Sequence, residues 1–183
     1  MNDSTMDDGQ QAVGVTMHPA CLPIDALLEQ CEIRRTRASG PGGQHRNKVE
    51  TAIEIIHKPS GLHAMATERR SQDQNRQVAI DRLRIHLAVY LRTVSSDFVQ
   101  PSPLWVSRCR NNRISCSDQH DDFPSMISEA LNAVDAKSWD VKRAAAALGC
   151  STSQLVRFIA KAPDALNHMN SQREANGLKR LKP

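Results

Sequence analysis

The hydrophobic period of the chain changes once, between residues 57 and 71, and that change decides what it can fold into. In "VETAIEIIH", Val49, Thr51, Ile53 and Ile55 fall on one side of an extended strand, and Glu50, Ala52 and Glu54 on the other. That is the period of two required by a half-buried strand. From Ser71 the period is 3.6: Ala79, Ile80, Leu83, Leu87, Tyr90 and Leu91 form one helical stripe, with Arg76, Arg82 and Arg84 largely off it. Between the two, "KPSG" at Lys58–Gly61 has turn chemistry, and "LHAMAT" can return as an antiparallel partner. Upstream, "EIRRTRAS" reads as a further strand. "LPIDALLEQC" reads as a short docking helix, with Pro23 near its start and Ile24, Leu27, Leu28 and Cys31 at helical spacing. Ser71 is expected to cap the long helix, with Gln74 serving in a capping box. The expected fold class is α+β, a small antiparallel sheet packed on a long helix over residues 22–95.

On either side the composition differs. Residues 1–20 are polar and acidic with few bulky apolar side chains, and are expected to be disordered. Residues 96–123 read as a linker or basic arm: "SSDFVQPSPLW" holds two prolines and three serines, and "VSRCRNNRISC" is either a short hairpin around Asn111-Asn112 or a basic arm. Residues 124–183 read as a helical C-terminal region. "SMISEALNAV" is one helix, and "DVKRAAAALGCSTSQLVRFIA" is two, joined by a tight turn at Gly149-Cys150-Ser151. Gly149 suits a left-handed position after the first, and Ser151 or Thr152 can cap the second.

Net charge is +4, and its distribution says more than its sum. Residues 1–31 carry five acids and no Lys or Arg, whereas residues 32–92 carry twelve cations against six acids. Clustered Lys and Arg suit a polyanionic partner, most often nucleic acid. With only 3% aromatic residues, stacking on aromatic platforms is a small part of any such binding. Five cysteines without C-x-x-C spacing, an acidic start and no long apolar run point to a reducing, cytoplasmic setting with no membrane partner. Cys109, Cys116 and His120 lack a fourth ligand and fit no common zinc spacing, so no metal and no cofactor is expected.

Inside the basic stretch lies "SGPGGQHRNK", Ser39–Lys48, which has only the Pro41 ring for apolar bulk and cannot fill a core. Gly40, Gly42 and Gly43 permit backbone angles closed to other residues and allow another chain to come close to the main chain. The P-loop spacing is absent. The Gln44 amide is no general base, but it can donate, accept and shape a pocket.

"RASGPGGQHRNKVETAIEIIHKPSG", continuing to "ERRSQDQNRQVAIDRLR", resembles the GGQ domain of class I peptide chain release factors and of their short, codon-independent relatives that rescue stalled ribosomes. The resemblance runs from Ile33 to about Leu91. It implies action at the peptidyl-transferase centre of the large ribosomal subunit, where the ester joining nascent peptide to tRNA is hydrolysed. A narrow, RNA-walled site needs a slim probe, hence the lack of bulk. By resemblance, Gly42, Gly43 and Gln44 are catalytic: the Gln44 backbone N–H would stabilise charge developing on oxygen, by roughly 3–4 kcal/mol for such a donor. Its side chain would line the water site. Arg37, Arg46, Lys48, Arg69, Arg70 and Arg76 would contact rRNA or tRNA phosphates, which position without reading sequence. Ser39, Gly40, Asn47, Gln72 and Asn75 would support the loop. His45 is read as a loop-packing or RNA-contact residue and His57 as a structural strand-end residue. The implied partners are the ribosome, peptidyl-tRNA and a methyltransferase acting on Gln44, with the protein itself a monomer.

Departures from the family pattern shape the rest of the expectation. Only a short acidic segment precedes the GGQ region, so a stop-codon-reading domain is not expected. Asp164–Pro183 carries Arg173, Lys179, Arg180 and Lys182 against Asp164 and Glu174, a net +2 rather than the polybasic tail some rescue factors insert into the mRNA channel. In its place, Ala145, Gly149 and Leu155 have helix-turn-helix offsets, and with "STSQLVRF" resemble the DNA-binding motif of bacterial regulators. The same offsets satisfy plain helix packing, and a bundle contacting ribosomal RNA or a partner is preferred to sequence-specific DNA binding. Codon-independent release from stalled ribosomes is the leading expectation. The alternatives are the same chemistry on split large subunits with a partner, and a non-catalytic nucleic-acid-binding protein.

Overall fold

Ile53 and Ile55 sit two apart on an extended chain and are both buried, on β2 (Ala52–His57), the middle strand of the sheet. The computed structural model describes residues 17–36, 51–93 and 99–183. β1 (Cys31–Thr36) and β3 (His63–Ala66) flank β2, antiparallel on both sides, in the order β1–β2–β3. Ile55 pairs with Ile33 on one edge and Ala64 on the other; Ile53 pairs with Arg35 and Ala66. The long helix α2 (Gln72–Tyr90) lies over β2 and β3, burying Ala79, Ile80, Leu83 and Leu87 in the same apolar cluster as Ile53, Ile55, Ala64 and Ala66. β1 stays at an edge, where Ile33 is 40% exposed.

Several local expectations change. The short helix α1 (Ile24–Glu29) ends before Cys31, which opens β1; its anchor is the wholly buried Leu27. Ser71 occupies the N-cap of α2, but its side chain makes no capping hydrogen bond. Tyr90, placed on the buried stripe, is 48% exposed. Arg84, placed off the stripe, is buried because its guanidinium donates to the carbonyls of Ala20 (3.4 Å) and Asp121 (3.0 Å).

Of the stretch read as a linker or basic arm, residues 99–123 hold a helix and a hairpin. These are α3 (Pro103–Arg108), β4 (Cys109–Arg110) and β5 (Arg113–Ile114). Ser102 caps α3, its hydroxyl accepting from Trp105 N. Trp105 is wholly buried and donates through Nε1 to the Leu148 carbonyl at 2.8 Å. An isolated linker cannot bury a tryptophan; this one is covered by the helices that follow.

Those helices are α4 (Phe123–Ala136), α5 (Val141–Ala147), α6 (Thr152–Ile159) and α7 (Pro163–Ala175). Asp140 caps α5 by accepting from Lys142 N and Arg143 N. Gly149 follows α5 with φ +67°, while Cys150 N donates to Ala145 O and Gly149 N to Ala146 O. This double bond pattern closes the helix as a Schellman motif. Ser151 then caps α6, accepting from Gln154 N. α4 packs on α2, and one continuous apolar cluster runs from Ile53 and Ile55 through Leu83 and Met126 to Leu155 and Met169. Among the described residues no helix is long and apolar enough to cross a membrane.

Candidate functional site

The β1–β2 ladder ends at the pair Thr36–Ala52. Both ends of the glycine-rich segment are therefore delivered to the same end of the sheet. Gly42, Gly43 and Gln44, together with Arg37, Ser39, Gly40, His45, Arg46, Asn47 and Lys48, lie outside the described residues.

What holds the return end is Asn75. Its side chain is fully buried in the first turn of α2. The Nδ2 group donates to Thr51 O at 2.6 Å and to Arg69 O at 3.0 Å, and Oδ1 accepts from Arg69 N at 2.9 Å. One amide thus ties together the residue entering β2, the segment leading into α2, and α2 itself. Only a side chain with both donor and acceptor at this length satisfies all three backbone groups. Gln72, half-buried one turn earlier, lines a cleft of about 280 Å³ with Ile33, Arg35, Ile53, Asp73 and Arg76. This cleft opens where α2 leaves β1 uncovered.

Arg69, Arg70 and Arg76 are all exposed and make no ion pair among the described residues. Arg76 meets Gln72 in the cleft, whereas Arg69 and Arg70 precede the helix. Arg35 joins them from β1, a residue that sequence reasoning passed over; its signal was the two-residue offset from Ile33. Its neighbour Arg34 is engaged locally, Nε donating to Glu32 at 2.8 Å. That hydrogen bond and the accompanying charge attraction lower the Glu32 pKa.

His57 is buried at the end of β2, with Nε2 3.1 Å from Gln30 Oε1 and Nδ1 2.7 Å from Ser60 Oγ. Burial pushes its pKa down. A neutral ring donating to Gln30 and accepting from Ser60 fits both contacts, and it joins α1 to the β2–β3 turn. Among the described residues no group of three or more His, Cys, Asp or Glu is arranged to hold a metal ion. What the described residues supply is a braced platform with free cations on one rim. The glycine-rich segment joins this platform between Thr36 and Thr51.

Comparison with known proteins bears on that segment. Residues 23–100 match the family model described as the RF-1 domain. The chain is 40% identical over 79 residues to peptide chain release factor 1 of Caldicellulosiruptor bescii, covering 43% of this chain and 22% of that protein. It is 45% identical over 66 residues to peptide chain release factor 2 of Lactiplantibacillus plantarum, covering 36% and 18%. It is 49% identical over 81 residues to a chloroplastic peptide chain release factor of Arabidopsis thaliana, covering 42% and 18%. The chain therefore spans only about a fifth of the length of the curated relatives it matches.

Proposed function

We propose, from the premise that residues 23–100 form an RF-1 domain, the GGQ-containing domain of class I release factors, that this protein hydrolyses the peptidyl-tRNA ester on the ribosome without reading a stop codon. The observation that carries the reading is the Gly42-Gly43-Gln44 tripeptide inside the matched segment. It is carried between β1 and β2, and the return end is fixed to α2 by Asn75.

In this reading Gly42 and Gly43 allow the backbone to aim the Gln44 N–H at the oxygen that gains charge as water attacks the ester. The Gln44 side chain lines the water site and excludes larger nucleophiles. The ribosome orients ester and water, so the protein needs no base of its own. Arg69, Arg70 and Arg76, with Arg37, Arg46 and Lys48, hold the domain on rRNA and tRNA phosphates. Ser39, Gly40, Asn47, Gln72 and Asn75 support the loop. The protein acts as a cytoplasmic monomer and is a substrate for methylation at Gln44.

Rescue of stalled ribosomes in this reading does not go by way of a polybasic tail in the mRNA channel. The last residues serve the fold: Asn170 bonds Leu181 in both directions, and Arg173 Nε donates to Lys179 O at 3.0 Å. Residues 179–181, held in this way, do not suit insertion into the mRNA channel.

The test is release of labelled peptide from ribosomes stalled on an mRNA with no codon in the A site. Wild type should release, and Gly43→Ala should lose on the order of 10²–10³ in rate while still binding. Release that survives Gly43→Ala would sink the catalytic reading. Release confined to isolated large subunits would assign the protein to split ribosomes. Binding without release in either would leave a non-catalytic nucleic-acid-binding role.

A further inference from the structure

Residues 99–117 and 141–163 contain seven Lys and Arg and no Asp or Glu, so the rest of the chain nets −3. The fold brings these two acid-free stretches together. Asn112 forms a β-bridge with Cys150, Ser151 N donates to Asn112 O at 3.5 Å, β5 lies against α6, and Trp105 is bonded to Leu148. Two of the seven cations are committed: Arg108 to Asp122, and Lys161 to the Cys116 carbonyl. The other five, Arg110, Arg113, Lys142, Arg143 and Arg157, are exposed, and their side chains make no hydrogen bond or ion pair among the described residues.

The hairpin sharpens the point. Arg110 and Arg113 stand directly opposite each other across β4 and β5. Like charges in that position destabilise a strand pair, and no carboxylate offsets them here. The turn between them has Asn111 at φ +50° and Asn112 at φ +59°. Two left-handed residues in a two-residue loop make a type I′ turn, which favours Asn and holds the strands in tight register. The two guanidinium groups are thus carried on a short, anchored ribbon. Their planar forks match phosphate oxygens better than a lysine ammonium does.

We propose that the β4–β5 hairpin and the α5–α6 unit form a second RNA-binding surface that grips the phosphate backbone of a duplex, with Arg110 and Arg113 at its centre and Lys142, Arg143 and Arg157 around them. Backbone contact is favoured over base reading. A helix that reads a groove uses its N-terminal residues, and here the Asn112 backbone lies on Cys150 and Ser151, immediately before α6. The choice of RNA over DNA rests on the ribosomal reading above. The surface lies outside the segment matched as an RF-1 domain, so it would give the protein a second, independent hold on ribosomal RNA.

The test uses the full chain and a fluorescent 20-base-pair RNA duplex, with a DNA duplex of the same sequence alongside. It contains no ribosome and no peptidyl-tRNA, so its result stands apart from whether the protein releases peptide. Arg110→Ala/Arg113→Ala should weaken RNA binding about tenfold at low salt and reduce the slope of log affinity against log salt by roughly 1–2. Arg110→Lys/Arg113→Lys keeps the charge but loses the forks, so it should lose less affinity than the alanine pair and keep the wild-type salt slope, and Lys179→Ala/Lys182→Ala, at the opposite end of the helical region's sequence, should stay within about twofold of wild type. The proposal is overturned by wild-type affinity in the alanine pair, by an equal loss in the lysine pair, or by an equal loss in the C-terminal pair. Tighter binding to the DNA duplex than to the RNA duplex would also overturn it, in favour of a DNA partner.

Discussion

The Asn75 side-chain amide donates to the Thr51 carbonyl across 24 positions of sequence, at 2.6 Å, and from the same nitrogen to Arg69 O. This fixes where β2 begins relative to α2, and so where the chain returning from the glycine-rich segment joins the sheet. Asn75→Ala would leave two carbonyls and one N–H without their partner in a dry site. Leaving buried polar groups unsatisfied costs about 1–3 kcal/mol apiece when water cannot replace the partner. We expect a total loss of about 2–4 kcal/mol after local relaxation. The check is a lower urea midpoint at unchanged denaturant slope. Asn75→Asp should be no better, since a carboxylate would face the Thr51 and Arg69 oxygens.

The β2–α2 relationship was legible from the period change alone, because burial on one face is what periodicity records. Asn75 was legible only through family resemblance: a buried amide in a helix's first turn looks, in sequence, like any polar residue there. Arg84 was misplaced for the reverse reason. Its burial is set by the carbonyls of Ala20 and Asp121, which arrive from distant segments. Trp105 was hidden in a Pro- and Ser-rich stretch because its partner, Leu148, lies 43 residues away. The α5–α6 turn could be read because its chemistry is local: a glycine after the helix and a serine before the next. The Gly42-Gly43-Gln44 tripeptide was the clearest motif in the sequence, and it lies outside the described residues.

His18 makes stability fall in mild acid. Its Nδ1 accepts from Ala20 N and its Nε2 faces Leu91 O at 3.1 Å, so the folded ring is neutral, with its proton on Nε2. Burial, opposed by the Leu91 hydrogen bond and aided by the nearby Arg92 charge, lowers its pKa from the ordinary 6.5 to about 4. The unfolded chain therefore binds a proton near pH 6.5 that the folded chain refuses until about pH 4. The contribution is fully present above pH 6.5, is lost as pH falls through that window, and is gone below 4. The loss is on the order of 3 kcal/mol. His57 and His168, both lowered chiefly by burial, act with the same sign. Urea midpoints between pH 7.5 and 4 should show the decline, and His18→Gln should flatten part of it.

Trp105 tests whether the two halves share one core. Trp105→Phe keeps most of the ring, including its edge-on contact with Phe158, but removes the donor to Leu148 O. The cost should be about 1–3 kcal/mol, from a carbonyl left dry at the end of α5. Trp105→Ala should cost about 3–5 kcal/mol. Because the apolar cluster is continuous from β2 to α7, the loss should appear equally in α2 and in α6. Amide exchange under native conditions checks this. Protection that falls in α6 but not in α2 would show two separately folding units.

Gly149 separates backbone strain from crowding. Its φ of +67° lies in the left-handed region, and a Cβ placed there would meet nothing within 4 Å. Gly149→Ala therefore carries no steric clash with neighbours, and its whole effect is the backbone penalty for a non-glycine residue in that region, about 1–2 kcal/mol. Asparagine tolerates the conformation better, so Gly149→Asn should cost less than Gly149→Ala, in the order expected at a Schellman position. If alanine instead proved neutral, the turn would have to have left the left-handed conformation, breaking the Cys150–Ala145 and Gly149–Ala146 hydrogen bonds. The hairpin bridge at Cys150 would then move with it. Thermal melts of the three proteins distinguish these outcomes. The chemical shift of the residue-149 Cα shows directly whether the left-handed turn is kept.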